Sequence, residues 1–359
     1  MRRDFYIILF TAILIAVTGI INIYSITHHS SPHWLRQTVW LIISVIAALI
    51  LFRIDYLRLY NMKWILYLFT LILLLMVDII GMEGGGARRW LKLGSWSFQP
   101  SELAKLTIII IISSFIDEKW KPEGWDTKDL IKAFLLIFIP AALVLVQPDL
   151  GTAGILIIIG GLLMIISGMR RKTIFYIFLF FIISIPILWI FMLDYQKARI
   201  ITLLNPYSDP LGKGYHILQS IIAIGSGGIT GKGFGRGTQS ALKFLPSRHT
   251  DFAFSVWCEE HGFIGAVFLL ALYAILIFML LRISFYAKRR FGSFLVLGIV
   301  VMFIVEITIN MFMVSGMFPV VGVPLPFFSY GGSSLLVSFM GIGIACSIIW
   351  DRITRRLVQ

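Results

Sequence analysis

The chain has 359 residues, of which 58% are hydrophobic and only 14% are charged, and its net charge is +13. Soluble domains carry roughly a quarter charged residues, so this composition excludes a soluble globular protein and predicts a membrane protein. The positive charge lies largely in short loops between apolar runs, where membrane topology explains it better than nucleic-acid binding does.

Apolar runs long enough to cross a bilayer recur along the whole chain. They predict an all-α polytopic membrane protein with about ten transmembrane helices, and residues 1–359 are expected to form a single integral membrane domain. The predicted spans cover residues 5–25, 35–52, 63–80, 99–116, 131–147, 150–168, 173–193, 252–281, 292–317 and 328–350.

The loop charges predict the orientation of these spans. An even number of spans places both termini on one side, and a cytoplasmic N-terminus puts most loop Lys and Arg residues inside. The short outside loops then hold only Arg36, Arg88, Arg89 and Lys92. The positive-inside rule therefore predicts that both termini are cytoplasmic, with one large extracytoplasmic loop at about 194–251 between helices 7 and 8.

This large loop is basic, which topology does not explain. Its cations are Lys197, Arg199, Lys213, Lys232, Arg236, Lys243 and Arg248, and glycines crowd residues 225–237. Closely spaced glycines let backbone N–H groups approach an anion, which favours a lipid-linked phosphate or pyrophosphate as ligand. Equally, the loop could be a surface that meets anionic lipid head groups. Apolar residues at helical spacing over 214–224 predict a short interfacial helix.

Ionisable residues inside apolar spans usually mark function or a partner. Glu102 and Lys105 are three residues apart on one helix face, so they are expected to pair. Asp149 lies in a tight connection between two spans, where capping of the next helix and substrate contact are equally favoured. Glu306 and Asn310 share a face of a later span, and their pattern favours a structural polar network over catalysis.

Asp251 is the only carboxylate where the basic loop re-enters the membrane, and Arg248 and His249 flank it. Helix capping is the structural alternative to catalysis at this position. Nearby cations would lower the pKa of Asp251, and apolar surroundings would raise it. The sequence contains no His or Cys cluster with metal-ligand spacing, so it predicts no defined metal site or certain cofactor and leaves a divalent-cation requirement open.

Several long motifs, in order along essentially the whole chain, resemble the SEDS family (shape, elongation, division, sporulation) of bacterial cell-wall membrane proteins. The stretches FLPSR (244–248) and GTQS (237–240) resemble its RodA elongation branch more than its FtsW division branch. The family motifs are WLKLG (90–94), QPSE (99–102) with Lys105, QPDLGT (147–152), 205–214, 225–237, RHTDF (248–252) with Glu259 and Glu260, GVPLPF (322–327) and SYGGSS (329–334).

The resemblance implies a peptidoglycan glycosyltransferase that polymerises lipid II at the outer face of the bacterial cytoplasmic membrane, in cell elongation and rod-shape maintenance. It implies Asp251 as the general base of an inverting transfer, which fits a single displacement. Arg199, Lys232 and Arg248 are candidates to hold the leaving undecaprenyl pyrophosphate. Glu102, Lys105 and Asp149 would shape the membrane-facing part of the cavity. The implied partner is a class B penicillin-binding protein, a transpeptidase; membrane lipid is also contacted, and nucleic acid is not expected.

Two other function classes stay open. A lipid II flippase would also bind an anionic head group, but it should line a path across the membrane with charged groups and paired broken helices. A non-catalytic scaffold of the cell-wall synthesis complex would need neither a basic glycine-rich pocket nor Asp251. The clustering of charge in the outer loop favours the glycosyltransferase.

Overall fold

The structure is a computed structural model, and it is dominated by long helices. It describes residues 2–27, 32–84, 87–94, 96–191, 197, 201–203, 213–241, 245 and 247–357. Within these residues each predicted span coincides with a helix, and most of its boundaries agree within a few residues. The predicted all-α membrane fold is therefore confirmed.

The first part of the chain forms six helices and three short strands. These elements are α1 (Arg2–Thr27), α2 (His33–Arg53), α3 (Tyr56–Ile80), β1 (Met82–Gly84), β2 (Ala87–Leu93), β3 (Trp96–Phe98), α4 (Pro100–Lys119), α5 (Thr127–Val146) and α6 (Leu150–Ile166). The later part of the described chain contains α7 (Arg171–Phe191), α8 (Lys213–Ser226), α9 (Thr238–Ala241), α10 (Ala253–Tyr286), α11 (Arg290–Val314) and α12 (Gly332–Leu357). The helix α8 matches the helix predicted over 214–224.

Seven helices in the described part of the chain are long and apolar enough to cross a membrane, namely α1, α2, α3, α5, α10, α11 and α12. The apolar helix α6 is shorter, at 17 residues. The chain is thus a multi-pass membrane protein, whereas the count of ten spans and the side on which the termini lie stay predictions.

The helix α4 lies at the centre of the bundle. Sixteen of its residues are buried, including the run from Ile108 to Ile112, and it packs against α3, α5, α6 and α11. A helix that is apolar around its whole circumference has to be enclosed by other helices. Pro100 occupies its first turn after the N-cap Gln99, as expected, because proline has no N–H that the first turn would leave unbonded.

A small antiparallel sheet of order β1-β2-β3 lies between α3 and α4, and the sequence did not predict it. In the pairing of β2 with β3, Leu91 lies opposite Phe98 and Lys92 opposite Ser97. Successive side chains of a strand point to opposite faces, so Arg88 and Arg89 diverge. This alternation directs Arg89 towards the N-terminus of α6.

Candidate active site

Asp251 lies in a turn that immediately precedes α10. The backbone N–H groups of Thr250 and Phe252 both donate to the carbonyl of Ser247, at 3.0 and 3.4 Å. The N-cap of α10 is Phe252, so Asp251 is not the cap. The structural alternative to catalysis for this carboxylate is therefore wrong, because the turn rather than an aspartate side chain begins the helix.

Two side chains from distant parts of the chain bond the backbone of this turn and hold it in place. The Asn310 side chain on α11 donates from Nδ2 to the carbonyls of Asp251 (3.0 Å) and Val323 (2.7 Å). The Ser329 hydroxyl donates to the carbonyl of Thr250 at 2.7 Å. Because these contacts end on backbone carbonyls, they do not engage the Asp251 carboxylate, which can still accept a proton. The polar role predicted for Asn310 is structural, as expected.

The environment of the Asp251 side chain raises its pKa from 3.8 to about 6. Burial is the main cause, since a carboxylate loses hydration there, and a hydrogen bond from Thr250 and the positive charge of Arg89 partly offset it. Gly322 faces the carboxylate, and a Cβ at this position would lie 3.7 Å from Oδ2. A carboxylate with this pKa is ionised at neutral pH yet basic enough to accept a proton.

Arg248 and His249, three and two residues before Asp251, differ in charge. Burial and, to a smaller extent, the neighbouring His33 and Arg248 together lower the pKa of His249 to about 4, so His249 is neutral at pH 7. Burial also lowers the pKa of the Arg248 guanidinium, which nonetheless stays charged because its ordinary pKa is so high. Arg248 is thus a partly buried cation in the same turn as Asp251.

Asp149 is the N-cap of α6, one of the two roles that the sequence left open. Its Oδ1 accepts from the Thr152 backbone N–H at 3.2 Å, and its Oδ2 accepts from the Thr152 hydroxyl at 2.9 Å. The Arg89 Nε atom lies 3.3 Å from Oδ2, and an Arg89 Nη atom donates to the carbonyl of Pro148 at 3.0 Å. Asp149 therefore ties the start of α6 to β2.

The predicted pair of Glu102 and Lys105 is confirmed, with 2.8 Å between Lys105 Nζ and Glu102 Oε2. Lys105 also forms an ion pair with Glu306 of α11. All three side chains are buried, so one cation compensates two carboxylates between α4 and α11. Glu306 therefore belongs to a structural network, as predicted, but its partner is Lys105, whereas Asn310 on the same helix bonds the backbone carbonyls of Asp251 and Val323.

The glycine-rich loop does hold an anion, and that anion is the Glu259 side chain of α10. Glu259 Oε1 accepts from Lys232 Nζ (2.7 Å), from the Thr238 backbone and hydroxyl (2.8 and 2.9 Å) and from the Gln239 backbone (3.1 Å). Lys232, a predicted pyrophosphate ligand, is thus engaged with Glu259 in this structure. Arg199, another predicted ligand, lies outside the described residues.

The loop lies directly on a break in α10. Gly262 has a φ of 64°, which interrupts the helix and exposes carbonyls that the loop then bonds. The backbone N–H groups of Lys232 and Gly233 donate to the carbonyls of Glu259 and Glu260, both at 3.0 Å. A Cβ at Gly231 would collide with the Glu260 carbonyl, so the glycines serve close backbone packing.

The most informative residue that the sequence reasoning missed as part of a site is Arg89, which had been assigned only to an outside loop. The available signal was weak: Leu91, Lys92 and Leu93 alternate as in a strand, and such a strand would direct Arg88 and Arg89 to opposite faces. Among the described residues, no three His, Cys, Asp or Glu side chains cluster as metal ligands. The described residues around Asp251 therefore do not form a typical divalent-cation site.

The chain matches known proteins over nearly its whole length. A family model described as "Cell cycle protein" (FtsW/RodA/SpoVE) matches residues 3–352. The peptidoglycan glycosyltransferase MrdB of Escherichia coli K12 is 47% identical over 284 residues, which cover 79% of this chain and 76% of that protein.

Solved structures agree with this assignment. A chain from a structure on the coordination of polymerization and crosslinking by a peptidoglycan synthase complex matches with a TM-score of 0.83 and 32% identity, covering 96% of this chain and 97% of that one. The crystal structure of the rod shape determining protein RodA of Thermus thermophilus matches with a TM-score of 0.72 and 28% identity, covering 96% of each chain. This protein therefore belongs to the FtsW/RodA/SpoVE family, the SEDS family that its motifs predicted, and it resembles the RodA branch.

Proposed function

We propose that this protein is a peptidoglycan glycosyltransferase that polymerises lipid II into glycan strands, with Asp251 as its general base. The observation that carries this proposal is the partly buried Asp251 carboxylate, which faces Gly322 in a turn whose backbone is fixed by Asn310 and Ser329 and whose surroundings raise its pKa to about 6. Family membership supplies the reaction class, and the geometry of this turn supplies the candidate base.

The reaction needs one base and one stabilised leaving group. The sugar hydroxyl of the acceptor attacks the anomeric carbon of the donor, and Asp251 takes the hydroxyl proton as the new glycosidic bond forms. The bond to undecaprenyl pyrophosphate breaks, and the pyrophosphate leaves with the electron pair. Attack opposite the leaving group inverts the anomeric centre.

Cations would stabilise the charge that develops on the pyrophosphate. Arg248 is the best supported of the proposed ligands, because it lies three residues before Asp251 in the same turn. Lys232 would have to exchange its Glu259 partner for the phosphate, and its side chain is 27% exposed, which leaves a route to it. Arg199 is still proposed as a pyrophosphate ligand because its segment of the chain is basic.

Glu102, Lys105 and Asp149 are proposed to shape the membrane-facing part of the cavity. Each is buried and paired, so each would act on substrate through the position of its helix. Lys105 joins α4 to α11, which also carries Asn310. Asp149 fixes the start of α6 next to Arg89.

We further propose that the protein lies in the bacterial cytoplasmic membrane with both termini in the cytoplasm. The charge of the short loops supports this orientation. Its proposed partner is a class B penicillin-binding protein, whose transpeptidase would crosslink the new glycan during cell elongation. The similarity to a chain of a peptidoglycan synthase complex supports a partner of this kind.

The flippase alternative is less well supported by the buried charges. Lys105 pairs with Glu102 and Glu306 inside the bundle, so these charges compensate one another and do not mark an open polar path. A scaffold would give no reason for a partly buried carboxylate with a raised pKa at Asp251. The glycosyltransferase is the function that uses the observed site.

The test is lipid II polymerisation by the purified protein together with its partner, with the transpeptidase of the partner blocked. Asp251→Asn should lower the rate by roughly 10²–10⁴-fold, the usual contribution of a general base. Asp126→Asn, which changes an exposed aspartate at the start of α5, is the matched control and should polymerise normally. Near-normal glycan from Asp251→Asn would rule out Asp251 as the base.

A further inference from the structure

Arg89 lies at the meeting point of three segments that the chain brings together from far apart. Its guanidinium contacts Asp149 and Pro148 at the start of α6, and its charge acts on Asp251 before α10. The positive charge of Arg89 favours the ionised form of Asp251. One arginine therefore stabilises the negative charge of two carboxylates.

The backbone explains why these segments are close. A Cβ at Gly151, in the first turn of α6, would lie 2.7 Å from the carbonyl of Val321. The next residue, Gly322, has a φ of 73° and faces the Asp251 carboxylate. Two glycines thus let α6, the segment after α11 and the Asp251 turn pack with little space between them.

Hydrogen bonds fix Asp149 firmly, whereas the Arg89 Nε atom that faces it makes none among the described residues. Both carboxylate oxygens of Asp149 accept hydrogen bonds from Thr152, which keeps this side chain fixed as a helix cap. The Arg89 Nε atom is buried and 3.3 Å from Asp149, yet it makes no hydrogen bond to any described residue. The pairing is therefore mainly electrostatic, and the Nε–H group of Arg89 has no hydrogen-bond acceptor among the described residues.

We propose that Arg89 is a positioning residue that divides its charge between Asp149 and Asp251, and that it holds the Asp251 carboxylate ionised and directed past Gly322 towards the reacting hydroxyl. This inference rests on the proposed role of Asp251 as the base. Asp149 acts in it as the counter-charge that limits how strongly Arg89 stabilises the ionised carboxylate.

The division of charge makes an unusual prediction, because the two partners of one ion pair should have opposite effects on catalysis. Removing Arg89 removes a cation that favours ionised Asp251, so the base should need a higher pH to lose its proton. Removing the Asp149 charge frees Arg89 for Asp251, so the base should work at lower pH. A merely structural ion pair would move both variants in the same direction.

Other ionisable groups surround this turn, and they are common to all the variants compared. They are Arg248 and His249 on the turn itself, His33 on α2, and Glu306 with its partner Lys105 on the neighbouring α11 and α4. A difference between pH profiles therefore reports on Arg89 and Asp149.

The experiment measures the pH dependence of lipid II polymerisation, as kcat/KM, for the full chain with its partner. In Arg89→Gln the acidic limb of the pH profile should move up by about 1 pH unit, the lower end of the range for a neighbouring opposite charge. In Asp149→Asn it should move down by a similar amount, and Asn keeps the helix cap. The matched control is Arg88→Gln, which loses the same charge on the opposite face of β2 and should leave the limb in place.

Arg89→Lys keeps the positive charge. The acidic limb of its pH profile should therefore lie near that of the wild type, even if its rate of polymerisation falls. If Arg89→Gln does not fold, the opposite shift in Asp149→Asn and the retained limb in Arg89→Lys decide the question. Unchanged limbs, or shifts of Arg89→Gln and Asp149→Asn in one direction, would overturn the proposal. An active Asp251→Asn variant would instead overturn the role of Asp251 itself.

Discussion

Replacing Asp251 with Asn should make the protein more stable at neutral pH while it abolishes polymerisation. Folding raises the pKa of this carboxyl from 3.8 to about 6, so the folded protein binds the proton more tightly than the unfolded chain. The contribution of Asp251 to stability is therefore fully present below pH 3.8 and is lost as the pH rises through about 6.

The size of the effect follows from the same two values. A tenfold change in proton affinity is worth about 1.4 kcal/mol, so keeping Asp251 ionised costs the folded state about 3 kcal/mol at pH 7. An Asn side chain carries no charge, so the free energy of unfolding of Asp251→Asn should exceed that of the wild type by about 2–3 kcal/mol at pH 7. The gain should shrink as the pH approaches 4, where the wild-type carboxyl is protonated.

Thermal unfolding in detergent, followed at several pH values between 4 and 7.5, measures this difference. The midpoint of Asp251→Asn should lie above that of the wild type at neutral pH and converge with it in acid. Asp126→Asn provides the control, since this exposed carboxylate pairs with Lys121 and should show no gain at neutral pH. A stability gain that did not depend on pH would refute the reasoning from charge burial, and a destabilised Asn variant would refute the assigned environment.

Three further predictions concern other parts of the chain. Lys105→Met should leave two buried carboxylates without compensation and cost about 3–5 kcal/mol in thermal unfolding, and a silent substitution would contradict the buried ion network. Gly231→Ala should destabilise the glycine-rich loop and lower the unfolding midpoint, whereas Gly225→Ala, whose Cβ would enter open space among the described residues, should be neutral. Cysteine labelling of intact cells should fail to reach Arg289→Cys from outside, and efficient labelling there would reverse the proposed topology.

The helices were predictable because their signal is local. Long apolar runs specify a helix in a bilayer, where every backbone polar group needs an internal partner. The pairing of Glu102 with Lys105 was also predictable, since three residues of spacing place both on one face. The third member of that network, Glu306, joins from a different helix, and no local rule connects residues 105 and 306.

The site was less predictable because it depends on contacts between distant segments. Asp251 was recognisable from its isolation at a membrane junction and from the family motif. Its relation to Arg89 was not, because β2 is a short, charged strand with a weak strand signal. The phosphate ligand that the glycine-rich loop favours stays a prediction, because Lys232, Thr238 and Gln239 bond Glu259 of the same chain, a contact between distant residues that the sequence did not indicate.

The break of α10 at Gly262 frees helix carbonyls that bond the glycine-rich loop, so the helix and the loop form one rigid unit. Loop amides and helix carbonyls share hydrogen bonds across it, so neither segment can open while the other stays closed. Amide protons of Lys232 and Gly233 should then exchange with solvent as slowly as those of the adjoining helix, even though glycine-rich sequences usually exchange fast. A loop of this kind behaves as an extension of the bundle, and substrates would meet a surface that is already formed.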